Sequence, residues 1–468
     1  MIKKRDNFLS NIYKLYIFFL PFNKFDIWPF PDFLARYLFI NISTLFLWIG
    51  LVYIIVTKRK LPFPHGIKIF LKIYLFMTIY SLIAALILFY PLGTLNGENT
   101  FRAVIGDIVF YFIAIGSIYF NFYCLSYVLK FEELRVTLIV QVISVLLVGY
   151  IQYGVILGIG GFNIFYNIIR NIIFLLPSDQ LNRGVVFGGT EPSSASNLCF
   201  LTLPYLFCNL LSKDMRLVDK IGYVTLIIMF VPLFLSSDSS SVMLSYIMLF
   251  ITFIAIYVGN KTLLRMIAIV SFCIGAFVAI GYGIDTVSNY VVGLERGTWQ
   301  YIAFGKIFDT SDLSNIMRSS TIVNDMKIFF ANPLTGVGNG LQGYFYEENL
   351  PDWAYVSFEV QNLLQGNNGI VDGGGAFFPT YLSAFGFIGI IVFYFFIREY
   401  IKLFNFNTQY MGIEKNIFFI FLVIFLSSAW YSLGVKQNQY VAVMLSLPIV
   451  NYESNWILSH NCEERKSV

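Results

Sequence analysis

The chain has 468 residues, of which 57% are hydrophobic and 12% charged, with a formal net charge of +4 and a positive mean hydropathy. A soluble fold of this length has no way to keep so much apolar surface out of water. A soluble enzyme or binding domain is therefore excluded, no nucleic-acid partner is expected, and the lipid bilayer is the expected surroundings.

Apolar runs of roughly 20 residues, each enough to cross the hydrocarbon core as a helix, recur along the chain. They predict an all-α, polytopic integral membrane helical bundle of about twelve transmembrane helices with a large external loop. The spans fall near 8–22, 37–56, 69–90, 104–126, 136–158, 195–212, 220–236, 240–258, 264–284, 377–397, 417–434 and 439–452. Three parts follow: membrane helices over 1–284 that include an external interfacial segment at 159–194, a large external loop at 285–376, and C-terminal membrane helices with a cytoplasmic tail at 377–468. No cleavable signal peptide is read in the first apolar run.

Charge orients this arrangement. Lys3, Lys4 and Arg5, then Lys58, Arg59, Lys60 and Lys68, then Lys130 and Arg135, then Lys213, Arg216 and Lys220 all fall on one side, as do Lys261, Arg265, Arg398, Lys402, Lys415, Arg465 and Lys466. The positive-inside rule makes that side cytoplasmic. The expectation is a multi-pass protein of an inner or plasma membrane, with both termini cytoplasmic and the long loop external.

Four of the five cysteines, Cys124, Cys199, Cys208 and Cys273, lie in or at the ends of apolar runs and read as small hydrophobes. The two histidines, His65 and His460, are far apart. Neither a disulfide, a metal site nor a cofactor is expected.

Between the fifth and sixth runs, Asn163, Asn167, Arg170 and Asn171 form one helical stripe among isoleucines, which suits a helix lying in the interface. Pro177 stops it, and the string NRGVVFGGTEPSSAS leads into the sixth run. In the long loop, 315–330 reads as a helix with Ile316, Ile322, Val323, Met326, Phe329 and Phe330 on its apolar side. Asn332 and Pro333 end it, and the glycines of NPLTGVGNG turn the chain.

Ionisable groups are sparse within the spans, which argues against an ion-coupled transporter. The residues with chemical potential stand at external ends: Arg102 and Asp107, Arg183 and Glu191, Asp238 in the SSDSSS turn, and the long loop. Arg183 and Arg318 can each offer a guanidinium fork to phosphate oxygens, or anchor their loops to lipid headgroups. Glu191 can act as a base, or simply favour the helix N-terminus beside it. GVGNG lacks the strand and the Lys-Ser or Lys-Thr pair of a phosphate loop and reads as a glycine-permitted turn. Trp299 and Trp353 can stack on sugar rings or serve as interfacial aromatics. The acidic residues from Glu347 to Asp372 can bind sugar hydroxyls or a divalent cation, or form a solvated surface.

Two strings go further. RGVVFGGTEPSSAS, Arg183 to Ser196, resembles the Arg, glycine and Glu-Pro-Ser pattern of the O-antigen polymerase and ligase superfamily, the Wzy-like membrane glycosyltransferases. Arg318, the helix after it and NPLTGVGNG resemble the second landmark of that superfamily, and FGFIGIIVF resembles its next span. The likeness covers the chain from Arg183 to Phe396.

The resemblance implies glycan transfer from a polyprenyl-diphosphate-linked oligosaccharide on the external leaflet, giving a surface polysaccharide such as O-antigen, capsule or exopolysaccharide. It also admits a polysaccharide chain-length regulator as a further partner. Arg183 and Arg318 match the landmarks and would hold the diphosphate, Glu191 would take the acceptor proton, and Arg296 joins them by position. Asp238, Trp299 and Trp353 are expected as further substrate contacts. Two departures are visible. DGGGAFFP, Asp372 to Pro379, has no histidine where ligases of the superfamily resemble one another, which favours polymerase over ligase. Asp238 stands where relatives often carry Ser-Arg. Ligase-type transfer is the alternative within this chemistry, and a polysaccharide or lipid flippase the alternative outside it.

Overall fold

The computed structural model describes residues 6–22, 41–58, 61–173, 181, 184–189, 192–212, 215–237, 239–281, 313–365, 376–403, 413–431 and 438–466. Its helices, in order, are α1 (Asn7–Phe18), α2 (Ile42–Thr57), α3 (His65–Leu92), α4 (Thr100–Tyr123), α5 (Arg135–Ile156), α6 (Phe162–Ile173), α7 (Thr202–Leu210) and α8 (Leu217–Ser236). After these come α9 (Ser240–Val258), α10 (Lys261–Gly281), α11 (Leu313–Ala331), α12 (Tyr346–Asn349), α13 (Phe358–Leu364), α14 (Phe377–Lys402), α15 (Ile413–Ser428) and α16 (Gln439–Lys466). The protein is a helical membrane protein. A helix coincides with each of the twelve apolar runs, and seven described helices are long and apolar enough to cross a bilayer: α3, α4 with the π turn that continues it, α5 with the turn before it, α8, α9, α10 and α14. α1 is shorter than its apolar run; its 12 residues extend about 18 Å.

Local chemistry sets the helix ends. Asp6 accepts from Leu9 N–H at 3.2 Å to cap α1, Asn41 and Thr44 form a capping box on α2, and Asn99 accepts from Arg102 N–H at 2.9 Å to cap α4. Between α3 and α4, the strands β1 (Thr94–Leu95) and β2 (Glu98–Asn99) pair antiparallel. Asn96 and Gly97, both at positive φ, make their two-residue turn.

The main core is aromatic and aliphatic, and polar side chains are folded into it in bonded sets. Tyr13 Oη donates to Asn121 Oδ1 at 2.9 Å, Asn121 Nδ2 donates to Tyr16 Oη at 3.2 Å, and Tyr16 Oη donates to Gln439 Oε1 at 3.1 Å. Gln141 donates to the Ile17 carbonyl and accepts from Thr202 Oγ1 at 3.0 Å. Such sets tie α1 to α4, α5, α7 and α16 where lipid offers no alternative partners.

In the long loop the expected helix is present as α11, and its polar side is buried as well as its apolar one. Its apolar side is buried at Ile316, Ile322 and Val323, but Ser319, Ser320, Thr321, Asn324 and Asp325 are buried as well, while Phe330 is exposed. Buried polar groups need partners, and these have them. Ser320 Oγ and Tyr346 Oη lie 2.7 Å apart, Asn324 Nδ2 donates to the Gln342 carbonyl at 3.1 Å, and Asn349 Nδ2 donates to Asn324 Oδ1 at 3.0 Å. Ile316, Tyr346, Leu350, Ala354 and Val360 form a small core of their own. The described part of the loop is thus a folded cap.

Candidate functional site

α14 begins beside this cap, and its sequence makes it breakable. FGFIGIIVF reads as an uninterrupted span, yet at Gly386 the backbone turns to φ 55°, ψ −149°, a conformation open in practice to glycine alone. The NPLTGVGNG turn fills the break. In a continuous helix Phe387 N–H would bond to Ser383 O and Ile388 N–H to Ala384 O. Instead, Val337 N–H donates to Ser383 O at 3.0 Å and Gly338 N–H to Ala384 O at 2.8 Å. Phe387 N–H donates to Pro333 O at 2.8 Å and Ile388 N–H to Leu334 O at 3.2 Å. The turn is spliced into the helix, and these four groups of α14 find their partners outside it, as a buried break requires.

The same turn carries Asn339 inward. Its N–H donates to Ser81 Oγ at 3.0 Å, and its Nδ2 donates to Asp107 Oδ2 at 2.6 Å and to Tyr111 Oη. Asp107 is 4% exposed and Asn339 2%. Gly338 lets the turn approach this closely, since a Cβ there would sit 2.6 Å from the Ala84 methyl. A second carboxylate lies nearby in the fold: Asp325, 0% exposed, accepts from Thr380 Oγ1 at 2.9 Å and Ser383 Oγ at 3.2 Å. These bonds fasten α11 to the part of α14 before the break.

Asp107, Asn339 and Thr380 mark the polar end of an otherwise apolar cavity of about 1000 Å³. It arises because α14 rests on α3 and α11, whereas α15 rests on α7, α9 and α10. The two helices meet at one end, where Phe378 N–H donates to Ala429 O at 2.9 Å, and diverge below it. The lining positions on α14 run from Phe377 to Ile401, roughly 36 Å of helix. Aromatic side chains such as Phe70, Tyr74, Phe421 and Phe425 form the walls. Ile390 and Ile401, both of which line it, are also exposed on the outer surface. It is a cleft, open along its side.

Of the residues that the resemblance assigns to the site or its substrate contacts, Arg318 and Trp353 are described. Arg318 is half-buried on α11, seven residues before Asp325 and so on the same helical face about two turns away. That face is the one bonded to α14. Trp353 packs against the small core of the cap. Arg183, Glu191, Asp238, Arg296 and Trp299 lie outside the described residues. Just after Arg183, Gln152 grips the chain: Val186 N–H and Phe187 N–H donate to its Oε1 at 3.1 and 2.8 Å, and its Nε2 donates to Phe187 O at 2.7 Å. Of the acidic run, Glu347, Glu348 and Asp352 are exposed. Among the described residues no three His, Cys, Asp or Glu side chains gather as a metal site.

Asp107 had been singled out for its place at an external helix end. Asn339 and Asp325 had not; the only local signals were an amide between two glycines and a lone acid on α11.

Fold and site together define a helical membrane protein with an apolar cleft beside a membrane-length broken helix. No family model, no curated protein and no solved structure matches this chain.

Proposed function

We propose that this protein is a membrane glycosyltransferase that polymerises polyprenyl-diphosphate-linked oligosaccharide repeats into a surface polysaccharide. The observation that carries the reading is the packing of the second string. The helix that carries Arg318, NPLTGVGNG and FGFIGIIVF, which resemble consecutive landmarks of the Wzy-like superfamily, are bonded to one another beside the polar end of an apolar cleft. A long isoprenoid chain suits such a cleft, because its walls are apolar and aromatic and offer close packing in place of lipid contacts.

In this reading the chain crosses the membrane twelve times, with both termini cytoplasmic and the cap external. The isoprenoid tail lies in the cleft, and Arg318, with Arg183, holds the diphosphate at its outer end. The acceptor hydroxyl oxygen attacks the anomeric carbon of the donor sugar, the bond from that carbon to the diphosphate oxygen breaks, and the lipid diphosphate leaves with the electron pair. Glu191 takes the hydroxyl proton. Arg296, Asp238, Trp299 and Trp353 are further substrate contacts.

The test is an assay of the purified protein with a lipid-linked oligosaccharide repeat, with products resolved by size. A ladder of lengthening lipid-linked glycans is expected. A folded protein that yields no ladder with several repeat types would defeat the polymerase reading in favour of ligase-type transfer or lipid flipping.

A further inference from the structure

Where α14 is broken, two hydrogen-bond arrangements compete for the same groups. With the turn spliced in, Ser383 O and Ala384 O take Val337 and Gly338 N–H, and Pro333 O and Leu334 O take Phe387 and Ile388 N–H. With the turn withdrawn, Phe387 and Ile388 N–H are at the right spacing to return to Ser383 O and Ala384 O as ordinary helical bonds. The turn's own four groups would then be free to bond to water. Neither arrangement leaves one of these eight backbone groups unpaired, so the exchange costs no backbone hydrogen bond, and what opposes withdrawal is the loss of Asn339 from Asp107, Tyr111 and Ser81.

We infer that α14 is a two-state helix whose outer half is set by the NPLTGVGNG turn: broken when the turn is spliced in, continuous when it withdraws. The consequence falls on the cleft. Phe377, Phe378, Thr380, Tyr381 and Phe385, all cleft-lining, stand on the half of α14 before the break, so straightening the helix at Gly386 re-aims that wall. Withdrawal also removes Asn339 from Asp107, Ser81 and Tyr111, opening the polar end. The turn is thus a gate on the cleft, and this inference does not depend on the chemistry proposed above.

Glycine is the hinge. A Cβ at position 386 would meet Pro333 O at 2.6 Å and Leu334 C at 2.7 Å, so alanine there opposes the spliced state twice, through the turn's backbone and through its own φ. A helical φ suits alanine. Gly386→Ala therefore favours the continuous state. Gly338→Ala reaches the same state from the turn alone, because its Cβ meets the Ala84 methyl and its φ is +90°, while the sequence of α14 is untouched.

The measurement is amide hydrogen exchange by mass spectrometry on the full chain in lipid nanodiscs. In both variants exchange over 333–340 is expected to rise about tenfold or more, while 383–390 keeps its protection because its amides have re-paired within the helix. Loss of protection in both stretches would mean simple destabilisation and would overturn the inference. So would loss in 383–390 alone, or no change in either. If Gly386→Ala does not fold, Gly338→Ala decides the matter by the same pattern.

Discussion

Arg318 is the side chain on which the proposed chemistry is most exposed to test. It sits on the α11 face that Asp325 fastens to α14, so its helix has little freedom relative to the cleft. If it holds a diphosphate, losing its fork removes charge-assisted bonds that strengthen as the leaving group gains charge. Arg318→Ala is expected to lower polymer formation by about 100-fold or more, with protein level and single repeat units unchanged. Lysine should restore part of the activity, since it keeps the charge but loses the planar fork. Ladder length in the purified assay reads both. Normal polymer in the alanine variant would remove Arg318 from the site.

At the scale of elements, the GVVFGG segment shows how a strained stretch is kept in place. Phe187 has φ 54°, a backbone rarely taken by a bulky residue. Its ring is buried against Phe230 and Phe234, with centroids 6.1 and 5.8 Å away, and Gln152 bonds to both its N–H and its carbonyl. Gln152→Leu keeps the volume and deprives two N–H groups and one C=O of their partner. The expected loss is about 2 kcal/mol or more, visible as a lower thermal midpoint. Gln152→Glu keeps the acceptor and should lose less. Equal stability of wild type and the leucine variant would show that other groups satisfy the segment.

For the whole molecule the decisive feature is the divergence of α14 from α15, which leaves room for a chain along the bundle. Leu422 lines that space from α15. Leu422→Trp should crowd a chain lying in the cleft, an overpacking penalty of about 1.4 kcal/mol that raises KM for a full-length isoprenoid donor about tenfold. Turnover of a short-chain donor that does not reach the site should stay unchanged. The ratio of the two KM values is the readout; an equal effect on both donors would place the chain elsewhere.

Much of this protein was determined by sequence alone, because membrane insertion and helix formation depend on local properties. Apolar runs of sufficient length put helices where they occur; the caps at Asn41 and Asn99 and the turn at Asn96–Gly97 are equally local but were not singled out. The glycines of NPLTGVGNG were legible as a turn, and Asp107 was singled out as an acid of α4. What only the tertiary structure decided are pairings through space. Asp107 and Asn339 are 232 residues apart, and Asp325 meets Thr380 across 55. The burial of α11's polar side was not legible, because periodicity reports which side is polar and leaves open what covers it. Likewise α14 reads as one span because its residues favour helix throughout. The break at Gly386 exists only because a distant turn supplies the four hydrogen-bonding groups that replace two helical bonds, and the cleft exists only because neighbouring helices in the chain rest on different partners.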